Sequence, residues 1–264
     1  MQLFKIISLA VITFLSVSFY AHALNDNFQE KRSTHFIIYY KAGVEGDFID
    51  DIIKTAEGYY DEIANNLGYH RYNFWLWDER ANIYIFPDRT SYQKETGQPD
   101  WSGGCASYRD KKIWTYPHAA GFFDSILPHE LGHIIFREFV GFENSNIPLW
   151  FEEGIASYQE RSKRYASTSM VKEFLSKNKL LSIDELSKVK SPQDIVNNED
   201  AEVFYAEAVS IIYFLINNFD KYRFALLCKS LKENNSLDQA LNKTYFDLRD
   251  SRELYRQWLN HLNT

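Results

Sequence analysis

The chain is poor in cysteine, proline and methionine and has no excess of positive charge. Two cysteines, Cys105 and Cys228, in 264 residues exclude a disulfide scaffold, and neither has the CxxC-type neighbour of a thiolate zinc site or redox motif. Whether the two pair with each other stays open at this level. Six prolines and eleven glycines are too few for a collagen-like or low-complexity chain. With 29 basic against 36 acidic residues, the composition lacks the basic footprint of a nucleic-acid binder. Beyond the N-terminal segment no apolar run approaches the roughly 20 residues that a membrane span needs. What remains is a globular chain long enough for one large domain or two small ones.

The N-terminal segment reads differently from the rest. Met1 to Lys5 carries one positive charge, Ile6 to about Tyr20 is mostly apolar, and Ala21-His22-Ala23 has the small-x-small form of a cleavage site. This is the pattern of a secretory signal peptide over residues 1–23. Ser8, Thr13, Ser16 and Ser18 interrupt the apolar run, which argues against an uncleaved membrane anchor. The expectation is a periplasmic or secreted protein of residues 24–264 without stable membrane insertion. Its oligomeric state is not legible.

Periodicity then divides the chain into two halves. His35–Lys41 is a β-rich run. Residues 46–67 carry Phe48, Ile52, Ala56, Tyr59, Ile63 and Leu67 at helical spacing, ended by Gly68. Strands are predicted over 74–77 and 81–86, with a short helix through Tyr92. A hairpin of Cys105–Tyr108 and Lys112–Tyr116 follows, turning at Arg109-Asp110-Lys111. No strand is predicted beyond His118. Helices are expected over the segment after Leu127, from Pro148 to about Gln159, and near 168–176, 183–186, 201–218, 221–233 and 246–262. The fold class is therefore α+β: an N-terminal mixed sheet with helices (about 24–141), then a helical half (about 142–264), together one domain.

At the junction lies Leu127-Pro128-His129-Glu130-Leu131-Gly132-His133. Residues i and i+4 share a helix face, so the imidazoles of His129 and His133 can close on one metal ion. Glu130 is rotated by about 100° from His129, off the metal but near a water that the metal holds. Catalytic zinc takes three protein ligands and leaves a fourth position to water, whose pKa falls to about 7. Asp124 or Ser125 is placed to cap this helix, Pro128 falls in its first turn, and Gly141 lies just past its end. The third ligand is sought in Pro148-Leu149-Trp150-Phe151-Glu152-Glu153-Gly154-Ile155-Ala156-Ser157-Tyr158. Adjacent helical residues point about 100° apart, so Glu152 and Glu153 cannot both face the metal.

His-Glu-x-x-His followed about twenty residues later by Trp-Phe-x-Glu-Gly-x-Ala resembles the gluzincin zinc metallopeptidases, and within them the compact bacterial peptidase-MA-like group. The resemblance implies a zincin-like fold, Zn2+ as cofactor and a peptide or protein substrate. It also implies Glu153 as the third ligand, with Glu152 as the alternative, and Glu130 as the base that activates a zinc-bound water for peptide-bond hydrolysis. Ser157, one turn after Glu153, falls where family members carry a polar residue supporting a ligand. Phe204-Tyr205-Ala206-Glu207-Ala208 resembles the tyrosine-bearing helix of these enzymes, which makes Tyr205 the candidate oxyanion donor. Zinc aminopeptidases of the clan carry Gly-x-Met-Glu-Asn where this chain has Gly103-Gly104-Cys105-Ala106-Ser107, without an acid, so aminopeptidase specificity is not implied. Lys112–Tyr116 is read as an edge strand for substrate pairing. The alternative reading of the whole is a non-catalytic zinc-containing binding or assembly module that keeps the metallopeptidase fold.

Overall fold

Strands with alternating apolar residues can bury one face and leave the other to solvent, and that asymmetry organises the N-terminal half. The structure is a computed structural model that describes residues 28–69, 75, 79–100, 102–195 and 197–263. Five strands form one sheet in the order β1-β2-β3-β5-β4: β1 (Gln29–Arg32), β2 (Phe36–Tyr40), β3 (Ala81–Ile85), β4 (Gly104–Ser107) and β5 (Lys112–Thr115). β2, β3 and β5 run parallel, and β1 and β4 are antiparallel to their neighbours. Phe36, Ile38, Ala81, Ile83, Ile85 and Ile113 are buried beneath the helices. The other face carries a row of rings in register, Tyr39, Tyr84 and Trp114, stacked at centroid distances of 4.9 and 5.8 Å. Helix α1 (Gly46–Asn66) lays Ile49, Ile52, Ala56, Tyr60 and Ile63 on the buried face. Ile52, Ala56 and Ile63 are where the spacing puts them, but Ile49 and Tyr60 are buried in place of Phe48 and Tyr59, which are only half-buried. A short helix α2 (Arg89–Thr96), capped by Asp88, precedes β4.

The rest is helical: α3 (Leu127–Val140), α4 (Leu149–Gln159), α5 (Arg161–Ser176), α6 (Ile183–Lys188), α7 (Asn198–Phe219), α8 (Lys221–Lys232), α9 (Leu237–Thr244) and α10 (Ser251–Leu262). Helix α4 is the centre of this half, with every residue from Trp150 to Gln159 buried. A helix enclosed on all sides must be apolar or hold its polar groups in pairs, so Glu152 and Glu153 in its first turns require partners. Helices α3 and α7 can approach it closely because glycines stand at the crossings. A Cβ on Gly132 would lie 3.0 Å from Cα of Ala156. The α+β architecture expected from the sequence is the one observed.

Several local expectations need correction. Lys112–Thr115 is not the edge: β5 lies between β3 and β4, and β4 is the terminal strand. No side chain caps α3, because a π-helical turn over Phe122–Ile126 runs straight into it. Helix α5 starts at Arg161 rather than near 168. The helix expected over 246–262 is α10 and starts only at Ser251, where Asp250 caps it by accepting from the Glu253 N–H; helix α9 over Leu237–Thr244 was not anticipated. Strand β1 was not anticipated, since Gln29-Glu30-Lys31-Arg32 is exposed throughout and shows no apolar alternation. The strand expected over 74–77 lies outside the described residues except for Trp75. Cys105 and Cys228 are free thiols. No helix among the described residues is long and apolar enough to cross a membrane.

Candidate metal centre

Helix α3 presents His129 and His133 toward the first turns of α4. Their Nε2 atoms lie 3.1 Å apart, and each is 3.6 Å from Oε2 of Glu153. All three side chains are buried, and they form a cluster of three metal-ligating groups among the described residues. Donors held at zinc bond lengths of about 2.0–2.1 Å in a tetrahedron stand roughly 3.3–3.4 Å apart, so the triangle fits one such ion. Glu152 faces the other way, as the helical offset requires.

The reverse side of each imidazole meets a different carboxylate. His129 Nδ1 is 2.9 Å from Oε1 of Glu160, and His133 Nδ1 is 3.4 Å from Oε1 of Glu152. An Nδ1–H turned toward a carboxylate leaves Nε2 free to bind a metal. Both carboxylates are held in turn. Arg137, one turn after His133, grips Glu152 through Nε at 2.7 Å and through a second, terminal nitrogen, and donates to the Asn144 carbonyl at 2.8 Å. Lys163 donates to Glu160 at 2.7 Å, and the Ser125 hydroxyl donates to its other oxygen. Glu160 can reach back because α4 ends at Gln159 and the backbone at Glu160 is extended, with φ −76° and ψ 103°, before α5 begins.

The electrostatics of the cluster are dominated by its carboxylates. Four carboxylates, Glu130, Glu152, Glu153 and Glu160, are buried here beside two cations, Arg137 and Lys163. Burial alone would push the His133 imidazole down, but the carboxylates of Glu153 and Glu152 reverse this and lift it to about 10. His129 is raised too, its burial being overcome by Glu153 and Glu160. Burial likewise works against ionised Glu153, yet the two histidines hold it far below the usual carboxylate range. Glu152, Glu153 and Glu160 are held ionised, so the site favours positive charge at the two imidazoles, whether a proton or a metal ion provides it.

Glu130 is the exception among these acids. It is fully buried, neither of its oxygens carries a hydrogen bond of ordinary geometry, and burial raises its pKa. Tyr205, on α7, feels the charges of Glu153, Glu160 and Glu130. Burial and those charges push its phenol up, so it stays protonated and able to donate. Lys163 stands 6.0 Å from the Tyr205 ring. The candidates Glu130, His129, His133, Glu153 and Tyr205 are thus brought into one neighbourhood.

Other expectations are redirected. Ser157 Oγ is buried without a hydrogen bond; the polar support comes from Glu160 instead. The sequence reading passed over Glu160, Arg137 and Lys163. Arg137 had a signal, since it lies four residues after His133 on α3, a spacing that keeps both on one helix face; Glu160 reaches the site only because the chain leaves helical geometry after Gln159.

Over residues 77–261 the chain matches the Peptidase MA superfamily. This match covers well over half of the chain, and the chain belongs to that superfamily. No curated protein matches it. Among solved structures it is similar to native yeast LTA4 hydrolase (15% identity, TM-score 0.49, covering 88% of this chain and 38% of that one). It is also similar to the native leukotriene A4 hydrolase of Saccharomyces cerevisiae (14% identity, TM-score 0.46, covering 88% and 39%). The chain spans less than two fifths of the length of these enzymes.

Proposed function

We propose that this chain is a zinc-dependent peptidase in which His129, His133 and Glu153 hold the metal and Glu130 is the general base. The observation that carries this reading is the donor triangle of 3.1, 3.6 and 3.6 Å beside the fully buried carboxylate of Glu130, whose pKa burial raises. Zinc, when bound, polarises a carbonyl oxygen and lowers the pKa of water to about 7. Glu130, raised by burial, then suits both halves of the proton transfer: it accepts a proton from the attacking water and returns it to the leaving amine. Tyr205 keeps its proton and donates to the negative charge that develops on the substrate carbonyl oxygen. A closed structural zinc site has no use for such a base, which favours catalysis over a binding module.

An extended peptide substrate fits the terminal strand β4, whose outer edge can pair by strand addition. Export, with residues 1–23 removed as a signal peptide, is part of the same proposal and rests on the charged-apolar-small pattern of that segment.

The test combines metal content with turnover. The purified protein is expected to carry about one zinc per chain and to cleave members of a peptide library. Glu130→Gln should keep the zinc and lose cleavage. Undiminished cleavage by that variant would remove Glu130 from the role, and a chain that binds no zinc would overturn the reading altogether.

A further inference from the structure

The metal centre described above draws its side chains from α3, α4, α5 and α7, yet one ring reaches it from the sheet. Tyr108 follows β4 and opens the β4–β5 turn. Its ring lies on the imidazole of His133, with centroids 4.5 Å apart and planes inclined by 21°. Its phenol stands among the carboxylates of Glu130, Glu153 and Glu152, whose charges raise its pKa along with burial.

The turn that carries Tyr108 is itself fastened to the active-site helix. Lys111 N–H donates to the Tyr108 carbonyl at 3.0 Å, closing the turn. Lys111 Nζ donates to Glu138 of α3 at 2.9 Å and to the Glu79 carbonyl at 2.7 Å. Glu138 also accepts from the Trp75 indole, and Ser107 Oγ donates to Asp110 at 2.9 Å. A hairpin tip pinned at Glu138 cannot slide along α3, so the ring five residues back along that helix, at His133, is held in place.

We propose that Tyr108 is a positioning residue of the metal site, its ring fixing the imidazole plane of His133 so that Nε2 points at the metal. Two contacts hold that imidazole. Glu152, 3.4 Å from Nδ1, is too distant for a short hydrogen bond and sets the side of the ring more firmly than its tilt. The flat contact with Tyr108 restrains the tilt. His129 needs no such help, because Glu160 stands at hydrogen-bonding distance from its Nδ1, at 2.9 Å. The two ligands are thus oriented by different means, one by a close carboxylate and one by a ring from the sheet.

This inference rests on the reading of His129, His133 and Glu153 as a zinc site. The experiment is a chelator-competition titration of Zn2+ with the wild type, Tyr108→Phe and Tyr108→Leu, alongside thermal melts of each protein in EDTA. Tyr108→Phe keeps the ring and should bind zinc within about threefold of wild type. Tyr108→Leu loses the flat contact and should bind about tenfold more weakly, the scale of an aromatic pair or a supporting-residue change. Cobalt(II) in place of zinc should show the same ranking, with an altered visible spectrum only in the leucine variant. If Tyr108→Leu does not fold in EDTA, Tyr108→Met takes its place in the same comparison. Equal zinc affinity in all three proteins overturns the role of Tyr108 and leaves the site intact. Equal weakening by Phe and Leu also overturns it, since the ring is then not what matters. A wild type that binds no zinc overturns the metal site itself.

Discussion

Gly154 lies against the backbone of Ala208: a Cβ built on it would be 2.5 Å from the Ala208 carbonyl oxygen and 2.8 Å from Cγ1 of Ile212. The glycine that follows Glu153, the proposed third ligand, therefore has a packing cause. Glu153 faces the histidines, and about 100° round the helix its neighbour meets α7, the helix that carries Tyr205. The distance between α4 and α7 is set by the absence of that one side chain.

Gly154→Ala should consequently destabilise the fold. Overpacking a filled interior typically costs about 1–3 kcal/mol, and a clash with backbone cannot be relieved by a rotamer change, which places this substitution at the upper end. Urea unfolding in EDTA measures it apart from metal binding. A midpoint equal to that of wild type would show that α7 can move away freely.

Glu160 supports His129, whereas Ser157 touches nothing polar. Glu160→Ala is expected to weaken zinc binding about 10- to 100-fold, the usual effect of removing a supporting partner. Ser157→Ala should leave it within about twofold, because no hydrogen bond is lost. Chelator competition on the two variants decides between the residue that the structure selects and the one that motif spacing suggests. The reverse ranking would refute the arrangement.

What could be read in advance follows from how local each signal is. The α3 motif lies within one helix, so the i, i+4 rule placed both imidazoles, and the apolar stripe of α1 gave Ile52, Ala56 and Ile63 in the same way but missed by one residue at Phe48 and Tyr59. The order of the sheet is non-local: β5 inserts between β3 and β4, which no spacing along the hairpin reveals, and so the edge was assigned to the wrong strand. The cap was misassigned because a π-helical turn supplies backbone partners where a side chain was expected. Tyr108 and Lys163 reach the site through tertiary folding alone. Arg137 shares a helical face with His133, but only burial shows that this face is enclosed, and Glu160 lies past the end of α4, where no helical spacing applies.

Arg137 and Glu152 form a buried ion pair behind His133. Removing the cation leaves a carboxylate without its partner in an enclosed site, a change that typically costs about 3–5 kcal/mol. Arg137→Met should therefore be strongly destabilising, and Glu152→Gln combined with it should recover much of the loss. Denaturant unfolding of the wild type, both single variants and the double variant in EDTA yields the coupling energy. Additive effects would mean that the two side chains act independently and would contradict the bidentate contact.

Glu207 governs the last expectation, a dependence of stability on pH. It is buried on α7, where it accepts from the Leu181 N–H at 2.7 Å and lies beside the Tyr255 hydroxyl. Burial raises its pKa from the ordinary 4.5 to about 8, more than the Leu181 N–H lowers it. Below 4.5 the carboxyl is protonated in both the folded and unfolded chain and contributes no pH dependence. Between 4.5 and 8 the unfolded chain releases the proton while the folded chain keeps it, so stability falls as pH rises, by up to about 1.4 kcal/mol per pH unit. Above 8 the full loss persists. Glu207→Gln keeps an acceptor for Leu181 and cannot ionise, so it should gain stability over wild type progressively from pH 5 to pH 8 and show little difference at pH 4. Urea unfolding of both proteins across this range provides the check, and parallel curves would show that Glu207 ionises in the folded chain as readily as in the unfolded one.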